Sequence, residues 1–331
     1  MAVGKLSGAL YGLQAPGQTN ENCKLSNFSL RSSATSISYL QTANPSLDVA
    51  DRATRKPNDI RHLVPVRTCG ERPPLFCIFP GPPGSTEFVE FLPDDQPSYD
   101  FYFTKLDGAA SFPKVEQLAQ MFLSEIREIQ PHGPYQLCGY SKAGLVAYEI
   151  ARLLLIEGES VPLLALFETW HPGFEENLTG VELIQFRILH IADRLHKYGR
   201  DLFRGRFLAA ADVVWKGISR RMRKLSWRLA RQFFRTSGQP VPKGMQQVEA
   251  IVVLKSFVPK PYSNRLMLIR TDDPFEKRLK DQTLGWRRCV AEGIDVHFVP
   301  GGQDHGTLMD KPHVQYVIEK IRPYLAGHSK L

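Results

Sequence analysis

Long uncharged apolar runs are missing from this sequence. In 331 residues no window approaches the roughly 20 apolar positions a helix needs to cross a bilayer. Cysteine is scarce too: the five, Cys23, Cys69, Cys77, Cys138 and Cys289, are odd in number and form no CxxC pair. That argues against a disulfide framework and against a zinc site, so no metal is expected, and it favours a reducing, cytoplasmic setting. The opening MAVGKLSGALYGLQAPGQ has one lysine and no sustained apolar core, a poor match to a secretion signal. With 43% hydrophobic and 23% charged residues, the composition is that of neither a disordered nor a membrane-embedded chain. The length exceeds the about 100–200 residues of one ordinary core.

Residues 1–60 are rich in Ser, Thr, Asn and Gln without apolar periodicity, which predicts a weakly ordered extension. From about residue 61 the pattern changes. LFCIF, YDFYFTKL, YQLCGY, PLLALFE, RLMLIRT and DVHFVP are short apolar runs closed by polar, Pro or Gly residues, the mark of buried strands. Between them lie helical patterns. VEQLAQMFLSEIREIQ places Val115, Leu118, Met121, Phe122 and Ile126 on one face, AGLVAYEIARLLLIEG stops at Gly158, and HVQYVIEKIRPYL supplies a last helix. Strands alternating with helices predict an α/β fold, a mostly parallel central sheet with helices on both faces. The stretch at about 175–247 breaks the alternation with amphipathic helical patterns, which reads as a helical lid inserted over the strand ends.

Sheets of this kind gather chemistry at the carboxyl ends of their strands. Ser141, Glu168, Asp272 and His305 each follow a predicted strand. Gly139-Tyr140-Ser141-Lys142-Ala143 approximates the G-x-S-x-G turn that lifts a nucleophilic serine above a sheet, with Ala143 at the second small position. A serine hydroxyl is inert near neutrality without a base and a group that orients the base. His305, in a glycine-rich loop before the last helix, is the base candidate, in the chain order serine, acid, histidine. His297 falls within a strand and reads as structural. The acid is Glu168, at the end of LLALFE, or alternatively Asp272 or Asp273, at the end of LMLIRTDD.

Five stretches carry a resemblance: LVPVR…ERPPLFCIFPGPPGS, GPYQLCGYSKAGLVAYEIARLL, LLALFETWHPG, FVPKPYSNRLMLIR and PGGQDHGTLMDKPHV. In this order, over residues 61 to about 327, the chain resembles the thioesterase domains that end polyketide and nonribosomal peptide assembly lines. The resemblance implies an α/β-hydrolase fold over 61–331 and a serine hydrolase that cleaves an acyl thioester on phosphopantetheine through an acyl-serine intermediate. It also implies an acyl or peptidyl carrier protein as partner and no cofactor of its own, with release by hydrolysis or by cyclisation. Ser141 matches the family's nucleophile, His305 its base, and Glu168 the position usually held by aspartate. The oxyanion donors would be the backbone N–H groups of Lys142 and Gly81, each typically contributing roughly 3–4 kcal/mol. A slip of one residue would move the second place to Pro82, which has no N–H. These departures keep two rivals open: a general carboxylesterase or lipase, and a degenerate homologue that binds acyl groups or a carrier protein. GALYGLQAPGQ also resembles a family segment whose place is already filled by DQPSYDFYFTKLDG, so the N-terminus reads as a fused remnant or as an edge strand.

The net charge of +8 is uneven. Between Arg187 and Arg235 fourteen Lys/Arg face three Asp, an excess of +11 that leaves −3 for the remainder. Arg220, Arg221, Arg223, Lys224, Arg228 and Arg231 lie among Trp215, Leu225, Trp227 and Leu229. That composition fits a solvated lid face, a docking surface for an acidic carrier protein, or contact with a membrane surface. It fits no nucleic-acid recognition motif.

Overall fold

The structure, a computed structural model, describes residues 62–80, 84–102, 112–203, 243–301 and 305–326, with isolated positions between 222 and 237. The expected extension at 1–60, Gly81 and Pro82, and the basic cluster from Arg220 to Arg231 that carries Trp215, Leu225, Trp227 and Leu229 with it lie outside the described residues.

Short apolar runs become the strands β1 (Leu63–Arg67), β2 (Leu75–Phe79), β3 (Ser98–Tyr102), β4 (Gln136–Tyr140), β5 (Leu163–Phe167), β6 (Leu266–Thr271) and β7 (Ile294–Val299). They form one sheet in the order β1-β3-β2-β4-β5-β6-β7. β1 runs antiparallel to β3, and the other neighbours pair in parallel. Sequence reading does not single out β1 as a strand, because Pro65 interrupts LVPVR. Proline donates no ladder hydrogen bond, so such a strand belongs at an edge. There β1 sits, with a register shift between Pro65 and Arg67.

Both faces of the sheet are covered, which is why β2 and β5 are apolar at every position. Leu75, Cys77 and Phe79 of β2 pack with Phe88 and Val89 of α1 (Gly84–Glu90) and with Val314, Val317 and Ile321 of α7 (His313–Ile321). Phe76 and Ile78, on the opposite face, pack with α2 (Val115–Ile129) and α3 (Gly144–Ile156). α2 buries Val115, Leu118, Ala119, Phe122, Leu123 and Ile126. Met121, expected on that face, is exposed instead. The buried stripe is centred between Ala119 and Phe122, and at 100° per residue Met121 lies more than a right angle away from it. α3 ends before Gly158, whose φ of 83° suits the reversal there.

Between β5 and β6 the described part of the expected 175–247 insertion holds a short turn of helix at Glu175–Asn177, then α4 (Gly180–Phe203) and the start of α5 (Lys243–Lys255). Thr179 and Glu182 cap α4 reciprocally, Glu182 Oε2 accepting from Thr179 N–H at 3.0 Å. A short α6 (Pro274–Lys277) follows β6. No helix among the described residues is long and apolar enough to cross a membrane. Cysteine corrects one expectation: Cys69 is disulfide-bonded, whereas Cys77, Cys138 and Cys289 are free. Two cysteines brought together by folding need no fixed spacing along the chain, so a missing CxxC pair does not exclude a disulfide.

Candidate active site

At the end of β4 the chain turns sharply. Ser141 takes a φ of 55°, a left-handed conformation unusual for a residue with a side chain. A turn of 3-10 helix, Ser141–Ala143, then leads into α3. The turn is possible because its flanks are small. A methyl group on Gly139 would stand 2.5 Å from the α-carbon of Gly144. Ala143 fits at the second small position, with its methyl fully buried. A second strained residue lies at the end of β5, where Glu168 takes a φ of 48°. Strain held at two strand ends marks a place that packing over-determines, at roughly 1–3 kcal/mol each.

His305 follows β7 in the short turn His305–Thr307. Its Nε2 is 3.0 Å from Ser141 Oγ. With the ring proton on Nδ1, Nε2 accepts the serine O–H. Glu168 is buried, and its Oε1 accepts from Thr271 Oγ1 at 2.9 Å and from Thr271 N–H. Oε2 has no hydrogen-bond partner among the described residues and faces His305 Nδ1 at 3.6 Å. The carboxylate is thus aimed at the imidazole but stands beyond hydrogen-bond length.

Of the alternative acids, Asp272 has a partner of its own for its carboxylate, Lys277. Asp273 is buried, and its carbonyl accepts the Lys277 N–H at 3.0 Å. Lys142 follows Ser141 in the first turn of 3-10 helix, whereas Gly81 is outside the described residues.

A cavity of about 360 Å³ opens beside Ser141, lined by Leu145, Trp170, Pro172, Phe174 and Leu254 among others. Sequence reading passed over this aromatic wall, whose signal was its position just after β5. Trp170 and Phe174 meet edge to face at 4.9 Å. His171, also in the lining, accepts the Gly173 N–H on Nδ1 at 3.1 Å, and its Nε2 lies 3.4 Å from Cys289 Sγ. Burial, then the Arg288 charge, hold the His171 pKa below its ordinary value, and burial raises that of Cys289. Both shifts favour the neutral groups over a thiolate–imidazolium pair. Among the described residues no group of three His, Cys, Asp or Glu could hold a metal ion.

A parallel sheet that carries a serine on a strained strand-to-helix turn, with a histidine after its last strand, defines the α/β-hydrolase class. The comparisons narrow this: residues 73–183 match the family model of the thioesterase domain. "Malpibaldin synthetase" of Mortierella alpina is 41% identical over 111 residues, 32% of this chain and 2% of that protein. "Inactive atromentin synthetase invA3" of Paxillus involutus is 26% identical over 268 residues, 76% of this chain and 27% of that protein. The chain therefore spans well under a third of these curated relatives. Among solved structures, a holo four-domain nonribosomal peptide synthetase bound to AMP and glycine superposes with a TM-score of 0.52 at 20% identity. That match covers 79% of this chain and 20% of the synthetase, and it concerns the fold.

Proposed function

We propose that this chain is a thioesterase that releases an acyl chain from a phosphopantetheine thioester through an acyl-serine intermediate. The observation that carries the reading is the 3.0 Å approach of His305 Nε2 to Ser141 Oγ across 164 residues, on a turn whose φ is 55°. Ser141 Oγ attacks the thioester carbonyl as its proton passes to Nε2. The oxyanion is received by the Lys142 N–H and a second donor in the loop after β2, for which Gly81 is our candidate. The C–S bond then breaks, and the thiol leaves with the proton held on His305. Water, or a nucleophile within the acyl chain, attacks the ester next, giving its proton to Nε2, and Ser141 recovers a proton as product departs. Glu168 stabilises the imidazolium formed in each half. The basic run between Arg187 and Arg235 supports an acidic carrier protein as the bearer of the substrate.

The 3.6 Å gap between Glu168 and His305 favours a second reading, a binder with little turnover. Fluorophosphonate labelling separates the two. The enzyme reading expects wild-type labelling that is lost in Ser141→Ala and in His305→Ala, and hydrolysis of acyl-pantetheine thioesters in preference to p-nitrophenyl esters. Wild-type protein left unlabelled supports the binder. Preference for the simple esters supports a carboxylesterase.

A further inference from the structure

His305 rests on little that a loop residue can rely on. Its side chain is 45% exposed, and the Glu168 carboxylate stands 3.6 Å away. Yet its Nε2 is held at 3.0 Å from the serine. What spans the difference is the residue just before the nucleophile. The Tyr140 ring lies nearly parallel to the imidazole, at 16° with centroids 5.1 Å apart. Its hydroxyl donates to the backbone carbonyl of His305. The Tyr140 ring is braced in turn by Phe79 of β2, edge to face at 6.4 Å, and Phe79 is fully buried. A rigid path therefore runs from the sheet through Phe79 and Tyr140 to the imidazole.

We infer that Tyr140 is the positioning residue for His305, fixing the loop by its hydroxyl and the ring plane by its face where the Glu168 carboxylate is too distant to do so alone. The inference rests on the serine-hydrolase reading above. Tyr140 is covalently next to Ser141, so one backbone segment sets both the nucleophile and the plane of its base. The hydroxyl and the ring make separable contributions. The hydroxyl acts on the backbone, hence on the distance from Nε2 to Oγ. The ring face acts on the imidazole itself, hence on the plane in which Nε2 meets the serine hydroxyl.

The test uses the full chain. Rate constants for fluorophosphonate labelling and melting temperatures are measured in wild type and Tyr140→Phe, and the His305 ring resonances are followed at one pH by NMR of carbon-13 histidine in wild type and Tyr140→Leu. Tyr140→Phe, which keeps the ring, should label about three- to tenfold more slowly at unchanged melting temperature, the rate equivalent of one lost hydrogen bond. Tyr140→Leu should shift the His305 ring resonances, because the aromatic face stacked on the imidazole is gone, whereas a structural role without ring contact would leave them in place. Labelling of Tyr140→Phe at the wild-type rate overturns the inference and leaves the serine-hydrolase reading intact. If wild type itself does not label, that reading falls, and the ring resonances alone decide: a shift in Tyr140→Leu upholds the positioning contact, and unmoved resonances overturn it.

Discussion

Glu168 turns one carboxylate oxygen to Thr271 Oγ1 at 2.9 Å and the other toward His305 Nδ1 at 3.6 Å. The carboxylate is anchored to β6 first and aimed at the imidazole second. Catalytic contacts that are long without substrate commonly shorten when it binds. Glu168→Gln should therefore lower kcat on an acyl-pantetheine thioester by at least about 10²-fold, the lower end of what a positioned acid–base group contributes. Glu168→Asp, one methylene shorter, should lie between the two. Steady-state turnover checks both, and a Glu168→Gln variant at wild-type kcat would remove Glu168 from the mechanism.

The elbow makes a steric prediction. A methyl group on Gly144 would meet Thr169 Oγ1 at 2.2 Å and Cγ2 at 2.9 Å, and Thr169 is fully buried. Gly144→Ala should cost about 1–3 kcal/mol, as overpacking does. Adding Thr169→Ala removes both contacts and leaves the threonine Cβ at 3.1 Å, so the double variant should recover part of the loss. Urea unfolding of the two proteins measures the difference.

Trp286 ties the site to the core. Fully buried, it donates its indole N–H to the Thr169 carbonyl at 2.8 Å, one residue beyond Glu168. Trp286→Phe keeps much of the apolar volume and leaves that buried carbonyl without this donor, at a cost of about 1–3 kcal/mol. The denaturation midpoint should fall, and turnover with it. A fall in stability with turnover untouched would show that the strand end holds its shape without the indole.

Acid should act through a site remote from the serine. Burial pushes the Glu125 carboxyl upward, but hydrogen bonds from the His62 ring and from the Leu63 and His62 N–H groups outweigh it and hold the pKa below the ordinary 4.5. A depressed folded-state pKa means that the ionised form stabilises the fold. That stability is present in full above about pH 4.5, the unfolded value, and is lost as pH falls through the lower folded value. Glu125→Gln should thus melt below wild type at pH 7, and the two curves should converge as the pH drops below 4.5. A constant difference across that range would rule the linkage out.

Much of this protein is set by local pattern. Runs such as LFCIF and LLALF are buried on both faces, so composition alone marks them as inner strands, and the 3.6-residue period marks α2 and α7. Small residues around Ser141 mark the turn, because only they allow β4 and α3 to approach so closely. Exceptions arise where neighbours decide: Met121 has helical spacing but faces away from the sheet, and Pro65 sits in a strand because that strand is an edge. The choice among Glu168, Asp272 and Asp273 was open in the sequence, since all three end strands. Tertiary structure turns Asp272 to Lys277 and Glu168 toward His305. The contact of Tyr140 with His305 spans 165 residues, and no spacing rule reaches that far. Periodicity is a property of neighbours along the chain, whereas the distance between two strand ends depends on the order and twist of every strand between them.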